Sequence, residues 1–349
     1  MGLPNVVVEF VTKANTAVLR SARGVVCVIL TDATKTTTLH EYKTAAEITN
    51  DWTVENTALL QSALDAGANK LYAVRLGAEE SIDDVKATLD ALKFNWVCHL
   101  NSTQTDLIAY VSARNATNTS LRVKAVVSGA STPDDMHVVN LKNIKAVKTD
   151  GTELTGNKYL PRLAGLFAGL GMDRSATYYE LTDLKSVDDV ENIDTVIDAG
   201  NLVLINDYGN VKIARAVNSA TTAVLDDFKK ITIVEAMDMI REDIMETFKN
   251  YYLGKYKNSL DNQSIFVAAV NNYFRRLAAE GVLNPDYQNL AEIDVDAQRK
   301  AIVAGGKTEA MDWDDLTVKK NPYKSYVFVK ANIQILDAIE DLTFNICMN

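Results

Sequence analysis

Cys98 and His99 are the one adjacent cysteine–histidine pair in the chain, and a thiolate beside an imidazole is the chemistry of a nucleophilic dyad. Phe94–Leu100 reads as a strand, however, in which neighbouring side chains point to opposite faces, so the two cannot act on one atom. The run holding Gly165, Gly169 and Gly171 suggests a phosphate loop, but Met172 and Asp173 stand where Lys and Ser or Thr would have to meet the phosphates. Nor do these glycines open a helix after a strand, as a dinucleotide fingerprint requires; they lie inside one, where small residues four apart let two helices approach. Asp134-Asp135 and the Asp312–Asp315 cluster lack the alternation of an EF-hand loop and read as solvated loops. With three histidines (His40, His99, His137), no HExxH, no CxxC and no GxSxG elbow, zinc ligation and triad hydrolysis lack their parts. The sequence therefore assigns no catalytic residue, no cofactor and no metal.

Composition narrows the remaining classes. The 349 residues carry 36 basic and 46 acidic side chains, a net charge of −10, which argues against sequence-independent nucleic-acid binding through clustered cations. Apolar residues make up 47% and charged residues 23%, ordinary for a chain that buries a large core in about two domains. Apolar runs such as Gly24–Leu30 fall far short of the roughly 20 residues of a membrane span. Met1–Asn5 has neither the basic region nor the apolar core of a signal peptide. Cys27, Cys98 and Cys347 are odd in number and widely spaced, which fits buried thiols in a reducing compartment. A folded product of the cytoplasm is expected.

The elements follow from periodicity. Val25–Thr31, Lys70–Leu76, Phe94–Leu100 and Leu121–Ser128 read as buried strands; Thr53–Ala66, Ile82–Leu92 and Thr105–Arg114 read as helices between them. Ser81 with Asp84 resembles a capping box. This alternation predicts an α/β domain with a parallel sheet covered by helices. Then come short strands at Val138–Leu141 and Ile144–Lys148, a small-residue helix at Tyr159–Leu170, and a helix over Val187–Ala199 closed by Gly200. Leu202–Ile205 and Val211–Val217 flank turn residues Asn206–Asn210, a β-hairpin. Two long helices follow. The first carries Ile233, Met237, Ile240, Ile244, Phe248 and Tyr251 on one stripe, with Glu235, Asp238 and Glu242 as its polar side. The second, about Gln263–Glu280, buries Phe266, Val270, Tyr273 and Leu277. A mixed α/β and α+β fold with a boundary near Gly200 is expected.

The two ends alternate with period two. Val6, Val8 and Phe10 share one face of a strand over Asn5–Thr12; Leu342, Phe344, Ile346 and Met348 alternate with Thr343, Asn345, Cys347 and Asn349. Apolar strands at chain ends need partners or become aggregation-prone edges. Either they pair within the chain, or each adds to a sheet of a neighbouring copy, a heterologous contact that closes a ring or propagates a helix.

A resemblance bears on that choice. Gly2–Asn5, Ser21–Gly24, Ala164-Gly165, Arg174–Tyr178, Ala199–Leu204, Phe228–Val234, Tyr252–Asn258 and Leu336–Leu342, in this order and spacing, are similar to contractile tail sheath proteins, in particular the compact type of defective prophages and R-type bacteriocins. Where that family has an Asn-Thr pair after the hairpin, this chain has Asn218-Ser219. The resemblance implies a structural protein, not an enzyme. It implies residues 1–23 as an exchange strand and linker, 24–199 as an outward α/β domain with a sub-domain from about 130, and 200–349 as an inner domain completed by exchanged terminal strands. Val6, Val8, Phe10, Leu342, Phe344 and Ile346 would then be intersubunit strands, and the helix with Asp296, Arg299 and Lys300 would face the tube. The implied partners are further copies, the tail tube protein, and baseplate and terminator proteins, with no nucleic acid and no membrane insertion. The implied location is a tail assembled in the bacterial cytoplasm and released by lysis. The competing reading is a soluble nucleotide- or ligand-binding α/β enzyme, with Thr31-Asp32, Gly77 and Asn101-Ser102 converging at strand ends.

Overall fold

The computed structural model describes Val18 and residues 23–100, 104–117, 119–222 and 225–347. It divides into two compact units, residues 21–242 with 336–349, and residues 1–20 with 243–335.

In the larger unit the chain forms β1 (Val25–Thr31), β2 (Leu39–Tyr42), α1 (Val54–Asp65), β3 (Lys70–Leu76), α2 (Ile82–Ala91), β4 (Trp96–His99), α3 (Thr105–Ala116), β5 (Lys124–Ser128) and β6 (Val138–Leu141). It continues with β7 (Lys145–Lys148), β8 (Glu153–Thr155), α4 (Leu160–Gly169), β9 (Leu184–Val187), α5 (Ile193–Asp198), β10 (Asn201–Leu202), β11 (Leu204–Asp207) and β12 (Asn210–Ile213). Helix α6 (Ile231–Thr247) contributes to this unit through Glu242. One seven-stranded sheet, in the order β10-β6-β5-β4-β1-β3-β2, is parallel except for β2.

Burial on both faces explains the continuous apolar strands. Val26, Val28 and Leu30 of β1 pack with Leu60 and Ala63 of α1 and Leu163 and Phe167 of α4; Val25, Cys27 and Ile29 face Val85 and Leu89 of α2 and Leu107 and Val111 of α3. Cys98 joins the first of these layers, so strand alternation turns His99 to the other. The α1–α4 contact depends on missing side chains: a Cβ on Gly165 would lie 2.0 Å from the Ala63 carbonyl oxygen, and one on Gly169 2.3 Å from that of Gly67.

Two expectations need correction. The helix read over Val187–Ala199 is shorter, Ile193–Asp198, and Val187 instead ends β9. Asn206 bonds both the Val187 amide, at 3.0 Å, and its carbonyl, at 2.8 Å, which holds it extended beside β7. Strands β8-β7-β9 make a small antiparallel sheet that the periodicity did not reveal. The hairpin is tighter than its sequence span, Leu204–Asp207 against Asn210–Ile213, because Tyr208 and Gly209 both take positive φ, 48° and 87°, as a two-residue primed turn demands. Residues 200–242 lie in the larger compact unit, where β10 hydrogen-bonds to β6.

The smaller unit takes α6 from Asp243, a wide π-helical turn at Phe248–Tyr252, α7 (Leu260–Ala279), β13 (Leu290–Ile293), α8 (Val295–Ala304), α9 (Asp315–Lys320) and β14 (Val329–Asn332). Phe266, Val270, Tyr273 and Leu277 form the buried stripe of α7, and the Tyr273 hydroxyl lies 2.6 Å from Asp243 Oδ2. Asn271 holds the Ala291 amide and carbonyl, positioning β13 against α7. Arg276 donates to the Val18 carbonyl at 2.9 Å. Among the described residues, β13 and β14 form a two-stranded antiparallel sheet.

Gly165→Ala should lower stability by about 2–3 kcal/mol, because the added methyl overlaps a backbone carbonyl that a packed helix cannot move away. Urea unfolding of the purified chain would measure it, and a change below about 0.5 kcal/mol would contradict close α1–α4 packing.

Candidate functional site

From residue 336 to 347 the chain has no helix or strand, and its two halves differ. The first half is fastened. Lys230 pairs with Asp337, and its Nζ lies 3.5 Å from Glu340 Oε2. The hydroxyls of Ser175 and Thr177 lie 2.9 and 2.6 Å from Glu340 Oε1, and the Glu340 side chain is only 4% exposed. Arg215 pairs with Asp341 at 2.5 Å at the rim. Burial works against the Lys230 charge, but its hydrogen bond to Asp337 and the Glu340 carboxylate raise its pKa above the ordinary lysine value. Three stretches that carried the sequence resemblance meet here: Ser175 and Thr177 from the first, Lys230 from the second, Asp337 and Glu340 from the third.

Among the described residues the second half has no such contacts to hold its apolar face. Leu342, Phe344 and Ile346 are 86%, 75% and 74% exposed, and among the described residues none pairs with 342–347 as a strand. Among the described residues the segment therefore keeps its period-two pattern without a strand partner. Val6, Val8 and Phe10 lie outside the described residues.

Helix α8 separates its three candidate residues. Asp294 caps it by accepting from the Ala297 amide at 3.0 Å, and buried Gln298 donates to the Val318 carbonyl at 2.6 Å. Asp296 and Lys300 are exposed. Arg299 turns inward, donating to the carbonyls of Ala310 and Trp313 and pairing with Asp315 at 3.0 Å. That contact, with Asp314 capping α9 through the Thr317 amide at 2.6 Å, uses two carboxylates of the Asp312–Asp315 cluster internally. Asp134 likewise accepts from the amides and hydroxyls of Thr221 and Thr222.

The strand ends named in the enzyme reading are also structural. Asp32 accepts from the Thr34 amide and hydroxyl, the Thr53 amide at 2.9 Å and Asn56 Nδ2 at 2.8 Å, tying β1 to the start of α1. Burial opposes its ionisation, but these hydrogen bonds hold its pKa far below the carboxylate range. Such a carboxylate is a poor base. Gly77 donates to Glu80 Oε2 at 2.7 Å, and Asn101-Ser102 lie outside the described residues.

One cluster escaped the sequence reading. Glu235, Asp238 and Glu242, read as the polar side of α6, are buried, at 4%, 7% and 7% exposure. Lys124 of β5, itself buried, places Nζ 2.7 Å from Asp238 Oδ2 and 3.1 Å from Glu235 Oε1; Arg23 also pairs with Glu235. His137 lies 3.3 Å from Asp238 Oδ1 and 3.5 Å from Asp135 Oδ1. Burial alone would raise the Asp238 pKa, but Lys124 and His137 hold it well below the usual range. Burial alone would lower that of His137, but hydrogen bonds to Asp135 and Asp238 raise it above 6.5. Ser219 adds to this region, its hydroxyl donating to the Asp135 carbonyl at 2.9 Å and accepting from the Asp135 amide at 3.2 Å, so serine retains a side-chain contact there. A lysine 114 residues away from Asp238 in sequence was the missing signal.

This fold, a helix-covered parallel sheet in one unit and a smaller α+β unit, is shared with solved sheath proteins. The crystal structure of the sheath tail protein from Desulfitobacterium hafniense matches with a TM-score of 0.75 at 15% identity, covering 96% of this chain and 98% of that one. The helical sheath of the anti-feeding prophage in its contracted state matches with a TM-score of 0.74 at 14% identity, covering 100% of both chains. Residues 225–349 match the family model of the phage tail sheath C-terminal domain. The chain is homologous to contractile tail sheath proteins: it is 26% identical to the tail sheath protein of Clostridium phage phiCD119, covering 99% of each.

Asp238→Asn should cost about 3 kcal/mol in urea unfolding by weakening the compensation of a buried ammonium, whereas Asp226→Asn, in an exposed pair with Lys229, should leave the unfolding midpoint where it is. The raised His137 pKa gives stability that is full below pH 6.5 and lost as pH rises through its folded value. His40 and His99, whose pKa values are lowered mainly by burial, act only below 6.5. Denaturation midpoints should therefore fall from pH 6.5 upward in the wild type, and His137→Asn should flatten that slope; a flat or rising wild-type profile would contradict the cluster.

Proposed function

We propose that this chain is the structural subunit of a contractile tail sheath, which polymerises around a rigid tail tube in an extended, metastable state. Contraction then drives the tube through a cell envelope. The observation that carries the reading is the strand-patterned segment 342–347, whose apolar side chains are exposed and have no strand partner among the described residues, while residues just before it are fastened down. An extended backbone with one apolar face is stabilised by joining a sheet edge, and a second copy supplies one wherever a subunit repeats.

In this reading Leu342, Phe344 and Ile346, with Val6, Val8 and Phe10 at the other end, complete sheets of adjacent subunits. The two-stranded β13–β14 sheet is the receiving element. Residues 200–349 with the N-terminal strand form the inner part, and 24–199 the outward part. Asp296 and Lys300 on the open face of α8 meet the tube, while Arg299 shapes the supporting loop. The work comes from surface newly buried between subunits as they rotate nearly rigidly, while exchanged strands keep neighbours attached. The tube protein, baseplate and terminator are its further partners, and the particle is assembled in the host cytoplasm and released by lysis.

Removing residues 342–349 should leave a monomer with the wild-type melting temperature that forms no sheath. Negative-stain electron microscopy of both chains, alone and with tube protein, should give striated tubes only from the full-length chain. Tubes from the truncated chain would overturn strand exchange.

A further inference from the structure

Resting on the sheath reading, we infer that residues 337–341 are an acidic clasp, and that the surface formed by Ser175, Thr177, Arg215 and Lys230 is its built receptor site. The clasp fixes the point from which the exchange strand leaves its subunit. Residues 331–349 contain Asp337, Glu340 and Asp341 but no lysine or arginine, so this whole stretch is purely anionic. Its three carboxylates all find cations or hydroxyls on the larger unit.

The central contact is Glu340. In a segment whose neighbours Ile339 and Leu342 are 99% and 86% exposed, its side chain is 4% exposed. A buried carboxylate is retained only where charge and hydrogen bonds replace its water, and Lys230, Ser175 and Thr177 do so. The receptor is itself prearranged. Thr177 Oγ1 accepts the Ala216 amide at 3.0 Å, which orients its hydroxyl proton toward Glu340, and Lys230 immediately precedes α6. Asp341 sits at the wet edge on Arg215, beside a cavity of about 750 Å³ lined by Tyr178, Asn192, Ile193 and Ile205.

The consequence is one of pre-organisation. A free tail would sample a large volume, and joining a neighbour would cost the ordering entropy of the whole linker. A clasped tail orders only the residues beyond Glu340. The clasp also gives the strand a fixed direction of departure, which a helical array with one repeated geometry requires.

The test uses full-length protein with Leu342→Cys and Cys347→Ser, since Cys27 and Cys98 are buried and leave one reactive thiol for a nitroxide label. In the unassembled chain the label should show a restricted electron paramagnetic resonance spectrum. Glu340→Ala, and separately Lys230→Met, should remove the restricted component while circular dichroism and melting stay native-like. The same two substitutions in otherwise unmodified chains should slow or abolish tube formation. A label already freely mobile in the parent, or unchanged by both substitutions, overturns the clasp. Loss of restriction with undiminished assembly overturns its role in presenting the strand. Failure of the unmodified chain to assemble even with tube protein counts against the sheath reading instead, and the label still decides the clasp.

Discussion

The buried ammonium of Lys124 is the constraint around which the larger unit is arranged. Removing such a charge from water costs several kcal/mol, and only carboxylates at hydrogen-bond distance offset it. Asp238 at 2.7 Å and Glu235 at 3.1 Å do this from α6, so the first turns of that helix are held against β5 in one orientation. Apolar packing alone would tolerate slip along the helix axis; a lysine between two specific acids does not. The residue before the helix, Lys230, is thereby delivered to the receptor of the C-terminal segment. The electrostatics of the core and the placement of the tail are thus linked through one short stretch, 230–238.

In the proposed reading, function lies in what the chain does not complete for itself. Its acidic clusters and strand-end carboxylates are spent on caps and turns, as Asp32, Asp134 and Asp314 illustrate. The segment 342–347 is different: apolar, alternating and without a strand partner among the described residues. Burying three such side chains in a second copy would contribute roughly 1.5–3 kcal/mol each before ordering costs, enough to weave an array in which every subunit repeats the contact.

The parallel strands were legible because burial on both faces leaves continuous apolar runs, and β1 and β3 fall where that pattern places them. Gly165 and Gly169 were legible as a close helix approach because no phosphate chemistry follows them. The burial of the polar side of α6 was not legible for a physical reason: Glu235, Asp238 and Glu242 have the same helical spacing whether they face water or a buried lysine, and Lys124 is distant in sequence. Val187 was misread because its extended conformation is imposed by the Asn206 side chain rather than by its own neighbours. The terminal alternation showed a strand pattern but not its partner, and 342–347 by itself forms no strand, since pattern records which face wants burial and not what covers it. The clasp was hidden in the same way, as its hydroxyls, cations and acids come from three separated stretches.

The most direct test is a cryo-electron microscopy reconstruction of sheath assembled from the full-length chain on its tube. The account predicts that density for 342–347 continues from its own subunit into a sheet of the adjacent one, with Leu342, Phe344 and Ile346 buried at that junction. Density that folds 342–347 back onto its own subunit, in an array held only by other surfaces, would contradict it.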